Sequence, residues 1–225
     1  MNAVILDTET HDMNGYPIEI SYSPCDFIDG ALHVGHELNF DEYFSCPERI
    51  SFGAMAVHHI LESDIAGKPS YETFRLPTTV KYMIGHNIDY DVAAVKKCDP
   101  KIEVKAICTM ALARMLWPES DSHTLGALYY QISEDKEKAR KHLRNAHNAK
   151  YDIYFTGVLL EVLVGELGIK DMNSLYMMSE TARIPKIITF GKHKGTYIED
   201  LPSDYKAWLL RQDDLDPYVR KALKG

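Results

Sequence analysis

The sequence predicts an α/β domain, a mixed β-sheet flanked by helices, followed by a small α+β appendage. Three observations carry this. Short apolar runs of strand length crowd the N-terminal part, strand and helix patterns then alternate, and the pattern restarts after Pro185.

In chain order, residues 4–6 are an apolar run closing on the charge of Asp7, as a buried strand does. Residues 18–22 and 32–38 read as further strands, separated by the turn-prone Phe27-Ile28-Asp29-Gly30. Residues 80–84, ending at Gly85, give another strand, and 89–97 a helix stopped by Asp99-Pro100. A strand over 104–108 leads into a helix over 109–116, which Pro118 closes, and Ser122-His123-Thr124-Leu125 starts another helix. The longest helical pattern runs from about 149 to 167, before Gly168. Residues 169–186 read as a helical connector. Ile187-Ile188-Thr189-Phe190 is then a strand, residues 191–195 a basic glycine turn, and Pro202-Ser203-Asp204 opens a helix carrying Tyr205, Trp208 and Leu209. The predicted organisation is a main domain over 1–168, a connector over 169–186 and a small module over 187–225.

Composition narrows the setting. At 225 residues the chain is long enough for a real hydrophobic core. No apolar run approaches the about 20 residues that a membrane helix needs, and no basic leader opens the sequence, so a cytoplasmic protein without membrane contact is expected. Cys25, Cys46, Cys98 and Cys108 are widely spaced with no C-x-x-C pair, which predicts reduced structural thiols. The net charge of −8 argues against bulk nucleic-acid binding, but it is unevenly spread. Residues 136–150 hold six Lys/Arg against the single acid Glu137, and residues 185–225 hold eight Lys/Arg against six Asp/Glu.

Three segments carry candidate chemistry. Asp7-Thr8-Glu9 puts two carboxylates on the same side of a strand, where they repel unless a cation lies between them. Such an oxygen-rich, sulfur-free site suits Mg²⁺ or Mn²⁺ rather than Zn²⁺. Gly85-His86-Asn87-Ile88-Asp89-Tyr90-Asp91 passes from a strand end into a helix, with Asp91 in its first turn and Asp89 as a competing acid. His147 and Asp152 are five apart, roughly 140° around one continuous helix. They can face one site only if His147 stands on an irregular lead-in and Asp152 on the helix proper. Together, carboxylates at strand ends and helix starts plus a histidine match the two-metal design, in which two ions about 3.5–4 Å apart clamp an in-line displacement.

Asp7-x-Glu9, Asn87-x-x-Tyr90-Asp91 and His147-x-Ala149-x-x-Asp152, in this order, resemble the three motifs of the DEDDh 3′→5′ exonuclease family within the ribonuclease H-like superfamily. Residues 50–60 are similar to the family's A-x-x-V/I-H segment. Residues 107–118, and the FGK-x-(K/R)-G pattern in 189–195, are similar to bacterial exodeoxyribonuclease members. The resemblance implies a ribonuclease H-like fold, two Mg²⁺ ions (or Mn²⁺) and release of 5′-mononucleotides from DNA 3′ ends, in DNA repair or end processing. It implies that Asp7, Glu9 and Asp152 hold the water-activating ion, Asp7 and Asp91 the second, and that His147 is the base. Thr8, Thr10, His58 and Asn87 fall on its substrate side, and the C-terminal module becomes a candidate DNA holder. An RNA-trimming 3′ exonuclease and a catalytically weak nucleic-acid-binding module remain alternatives, and the oligomeric state stays open between monomer and homodimer.

Overall fold

The computed structural model describes residues 1–37 and 40–225. The chain divides into two compact units, Met1–Ser179 and Glu180–Gly225, so most of the helix expected as a connector belongs to the first.

The strands of the first unit are β1 (Ala3–Thr10), β2 (Pro17–Ile28), β3 (Ala31–Val34), β4 (Phe40–Tyr43), β5 (Tyr82–Gly85) and β6 (Lys105–Cys108). Among the described residues they form one sheet of order β3-β2-β1-β5-β6, with β4 on the remaining part of β2. β1 runs antiparallel to β2 and parallel to β5, and β5 parallel to β6, which is the mixed ribonuclease H-like arrangement the sequence predicts. Ala3, Val4, Ile5 and Leu6 are all buried, so β1 is covered on both faces, as parallel neighbours require.

The helices are α1 (Phe52–His58), α2 (Glu62–Ile65), α3 (Asp89–Cys98), α4 (Thr109–Leu116), α5 (Leu125–Ile132), α6 (Lys136–His142), α7 (Ala149–Leu167) and α8 (Met172–Ala182). α7 buries Ile153, Phe155, Leu159, Leu160 and Leu163 and packs on β1 and β2 on one side and on α4 and α5 on the other. Gly157 sets how closely it lies on the sheet: a methyl group there would sit 3.1 Å from Val34 Cγ1 and 3.4 Å from Ile5 Cδ1. The approach aims the first turn of α7 at the C-terminal half of β1.

Several elements depart from expectation. β2 continues to Ile28 rather than stopping near 22, because Ser21 and Ser23 are buried in the ladder and do not end it. β3 ends at Val34, short of the predicted 38, and Leu38 itself lies outside the described residues. β4 and α6 have no apolar periodicity to announce them. α6 is held by its ends instead: Asp135 accepts from the backbone N–H of Glu137 and Lys138, both at 2.9 Å, and Arg140, Lys141 and His142 complement the carbonyl end.

In the second unit, α9 (Ser203–Leu210) and α10 (Pro217–Lys224) accompany a core of Ile188, Ile198, Leu201 and Leu209. The strand predicted over 187–190 is corrected: its residues form an isolated antiparallel bridge, Ile187 with Tyr197. Ile188 N–H donates to Thr196 O and Gly195 N–H to Ile188 O, which closes a turn too tight for a ladder to extend. The four cysteines are free thiols, as expected. Among the described residues no helix is long and apolar enough to cross a membrane.

Candidate active site

Asp7 and Glu9 lie on β1 two residues apart and project to one side of the sheet. Asp152 occupies the first turn of α7, and the packing of that helix on β1 brings its carboxylate to theirs. One oxygen from each of the three lies within 4.8 Å of the others. The all-oxygen donor set and the mutual repulsion of its members fit a hard divalent cation.

Asp91 arrives from the other side. The β1–β5 ladder ends at Ile5 with Ile84, so the Thr8 N–H lies beyond its reach. That N–H and the Thr8 hydroxyl both donate to Asp91 Oδ1, each at 2.9 Å. A carboxylate at the start of α3 thus takes the place of a strand carbonyl. Gly85 permits the approach, since a Cβ there would stand 2.9 Å from Leu6 O and 2.6 Å from Ile88 Cδ1. Asp91 is buried on its bonds to Thr8, beside Asp7 in sequence, whereas the competing acid Asp89 is exposed.

His147 stands ahead of the N-cap of α7, in the left-handed region at φ 63°, with an exposed side chain. Its N–H donates to Asp152 Oδ2 at 3.2 Å. The placement agrees with the five-residue spacing, which requires the imidazole to be off the helix. Immediately upstream, α6 and the short 3-10 turn after it carry exposed Lys138, Lys141 and Arg144.

The electrostatics are those of a crowded acidic site. Burial, then the charges of Asp91, Asp152, Glu9 and Glu19, raise Asp7 well above the usual carboxylate range. Burial and the same neighbours push Glu9 to about 9. Burial lifts Asp91 to about 7 against the opposing pull of its Thr8 bonds, and Asp152 to about 7 against that of the His147 N–H. Protons held this tightly are ones a cation can replace.

The other predicted residues are placed unequally. Thr10 and His58 line an open cleft of about 350 Å³ together with Glu9, Met13, Val57 and Tyr90. His58 is buried and accepts the Ile60 N–H at Nδ1 (2.9 Å), and burial lowers its pKa. Thr8 spends its hydroxyl on Asp91. Asn87 is exposed in the turn between β5 and α3, at φ 69°, and is not among the residues lining the cleft. His86 is structural: it bonds Thr109 Oγ1 (3.0 Å) and His123 O (2.9 Å), and burial lowers it to about 4.

Three residues beside the cluster were given no role from the sequence, although Tyr90 stands in the motif that picks out Asp91. Tyr90 hydrogen-bonds the Thr10 hydroxyl and forms a wall of the cleft, and Met13 is a thioether left 83% exposed at its mouth. Glu19 is 2% exposed and sits opposite Glu9 in the β1–β2 register. Its one available signal is an acid between two isoleucines in an apolar run.

A mixed ribonuclease H-like sheet with three segments converging in carboxylates, and a histidine at the rim, defines a nuclease of the metal-dependent kind. Exodeoxyribonuclease 10 of Escherichia coli (strain K12) is 31% identical to this chain over 231 residues, covering 98% of this chain and 96% of that protein. The chain belongs to the exodeoxyribonuclease X family and is an enzyme hydrolysing phosphodiester bonds. The DNA polymerase III epsilon subunit of Buchnera aphidicola (subsp. Acyrthosiphon pisum, strain APS) is 28% identical over 180 residues, 72% of each chain. The structure of exonuclease X in complex with 5′ overhanging duplex DNA superimposes with a TM-score of 0.56 at 28% identity, covering 77% of this chain and 99% of that one. No protein-family model matches the chain.

Proposed function

We propose that this chain is a 3′→5′ exodeoxyribonuclease that removes 5′-mononucleotides from DNA 3′ ends with two Mg²⁺ ions, Mn²⁺ serving as a substitute. The convergence of Asp7, Glu9 and Asp152 within 4.8 Å, with Asp91 against Thr8 beside them, carries the reading. Asp7, Glu9 and Asp152 would hold one ion, and Asp7 and Asp91 the second. Bound there, hard cations acidify water and neutralise charge building on the phosphate.

The remaining work falls to the chain's own groups. The His147 imidazole, exposed and on a non-helical segment, takes the proton of the attacking water. The cleft beside Glu9 receives the terminal nucleoside, with Met13 and Val57 against its base. Lys138, Lys141 and Arg144 place positive charge where a phosphodiester backbone approaches His147. In the C-terminal unit, His193, Tyr205 and Trp208 form a row of rings (centroids 4.5 and 5.5 Å apart) near exposed Lys192 and Lys194, and this unit holds DNA by stacking and charge. Four free thiols suit a cytoplasmic setting.

The test is product analysis on 5′- and 3′-labelled DNA and RNA of one sequence, with Mg²⁺ and with chelator. The expected result is stepwise shortening of 5′-labelled DNA, mononucleotide release from the 3′ label, no reaction in chelator, and no activity in Asp7→Ala. Faster loss of RNA would overturn the DNA assignment, and cleavage in chelator would overturn the metal assignment.

A further inference from the structure

The start of α7 is capped in an unusual way. Its N-cap residue, Asn148, makes no side-chain bond to its own helix, although Asn at this position ordinarily accepts a first-turn N–H. Its amide points outward and donates to Glu19 Oε1 at 3.0 Å, and the next residue's N–H, Ala149, donates to Glu19 Oε2 at 3.1 Å. The cap of the helix that carries Asp152 therefore comes from a different element, β2, and it is a carboxylate at the positive end of the helix.

The register makes the connection tight. Glu19 is the Cα partner of Glu9, so one rung of the β1–β2 ladder bears both the cluster's Glu9 and the acid that grips α7. Both Glu19 oxygens are engaged by protein donors, and Glu19 is absent from the group of three whose oxygens converge. Downstream of the grip, Asp152 accepts the His147 N–H. The two bonds to Glu19 thus fix the segment 147–149 from the sheet side while Asp152 fixes it from the helix side.

We propose that Glu19 is a positioning residue: through Asn148 and Ala149 it locks the start of α7 to the β1–β2 rung, and so sets the distance of Asp152 from Glu9 and the stance of His147. The inference rests on the two-cation reading of the site. It assigns to Glu19 neither a metal bond nor a proton transfer. What matters is that both bonds to the start of α7 are made: Glu19 accepts the two, and a glutamine can supply them only with the first reversed, its carbonyl accepting from Ala149 while its NH₂ donates to an acceptor placed at 148.

The experiment is an acceptor–donor swap in the full chain. Glu19→Ala is expected to lower kcat about 10–100-fold with KM for a DNA oligonucleotide within about twofold, as loss of a group orienting a metal ligand does. Asn148→Asp sets two carboxylates against each other and is expected to lower kcat as well. The double variant Glu19→Gln/Asn148→Asp restores the pair with roles reversed, and is expected to return kcat to within about fivefold of wild type. Hydrogen exchange of backbone 147–152 is read in parallel; it should quicken in both single variants and recover in the double one.

A double variant as impaired as the worse single one, in activity and in exchange, overturns the proposal. So does a Glu19→Ala protein with wild-type kcat. Should Glu19→Ala fail to fold, the Asn148→Asp and double variants still decide the matter. Exchange that follows the swap in a protein whose cleavage does not depend on cations would uphold the clamp and reject the two-cation reading, which separates the two failures.

Discussion

Glu9, at about 9, and Asp91 and Asp152, at about 7 each, hold protons that ordinary carboxylates lose near 4. The folded metal-free chain thus binds more protons than the unfolded one between those limits. The contribution of these groups to stability is complete below the unfolded values and is lost as pH rises through 7 and then 9. A cation takes over from the protons, so its stabilising effect grows in the same direction. Thermal melts in chelator should give a Tm that falls from about pH 5 to about pH 9, and Mg²⁺ should raise Tm more at the alkaline end. An equal Mg²⁺ increment at both ends would mean that the ion binds elsewhere. Asp152→Asn removes one of the repelling charges. It should abolish nucleotide release while raising the chelator Tm near pH 8, by roughly 2–4 °C for each kcal/mol of relief. A lower Tm would show that Asp152 is held by attraction rather than tolerated by burial. His147→Ala leaves the carboxylates untouched. Turnover should drop about 10²–10⁴-fold while calorimetric Mn²⁺ binding is largely kept, and a change no larger than that of a remote surface substitution would remove His147 from the mechanism.

At the level of elements, the site depends on how closely β5 and α7 approach β1. Gly85→Ala places a methyl against Leu6 O, one residue before Asp7, and backbone cannot step aside as a side chain can. A loss of about 1–3 kcal/mol is expected from urea unfolding, as for other overpacked positions. Gly165, in α7 with nothing within 4 Å of an added Cβ, is the matched control: Gly165→Ala should gain about 0.5–1 kcal/mol. A Gly85→Ala protein as stable as Gly165→Ala would mean that β5 can draw back from β1 without cost. These elements differ in how plainly the sequence announces them. Asp7 and Glu9 are legible because acids two apart after an apolar run have one geometric reading, and α7 is legible from its length and terminal glycine. Glu19 is not, because an acid between isoleucines reads as the outward face of a half-exposed strand, whereas β2 is buried on both faces here. β4 and α6 carry polar sequences whose order comes from a paired edge and from capped ends, and neither leaves an apolar period. The appendage strand fails for the opposite reason: Ile187 to Phe190 has strand composition, but the tight turn after it allows a single bridge.

For the whole molecule, charge is divided between chemistry and grip. The acids that make the chain anionic include those a cation would neutralise, while the C-terminal residues 185–225 hold eight Lys/Arg against six Asp/Glu. If the second unit holds DNA, its removal should leave the chemical step alone and weaken retention of long substrates. Ending the chain after Ala182 respects the end of α8 and keeps the residues of the first unit. The shortened protein should cleave a very short oligonucleotide at the full-length kcat, but bind long single-stranded DNA more weakly. Its binding should also depend less on salt, since each phosphate contact on a single strand contributes about 0.7 to the slope of log K against log salt. Lys192→Ala/Lys194→Ala in the full chain should reproduce about 1.4 units of that flattening if both lysines meet phosphates of the single strand. Trp208→Ala should weaken binding with the slope unchanged, because stacking releases no counterions. An unchanged salt slope in both the truncated chain and the double lysine variant would exclude the second unit from the DNA path. The grip would then belong to the basic segment before His147 alone.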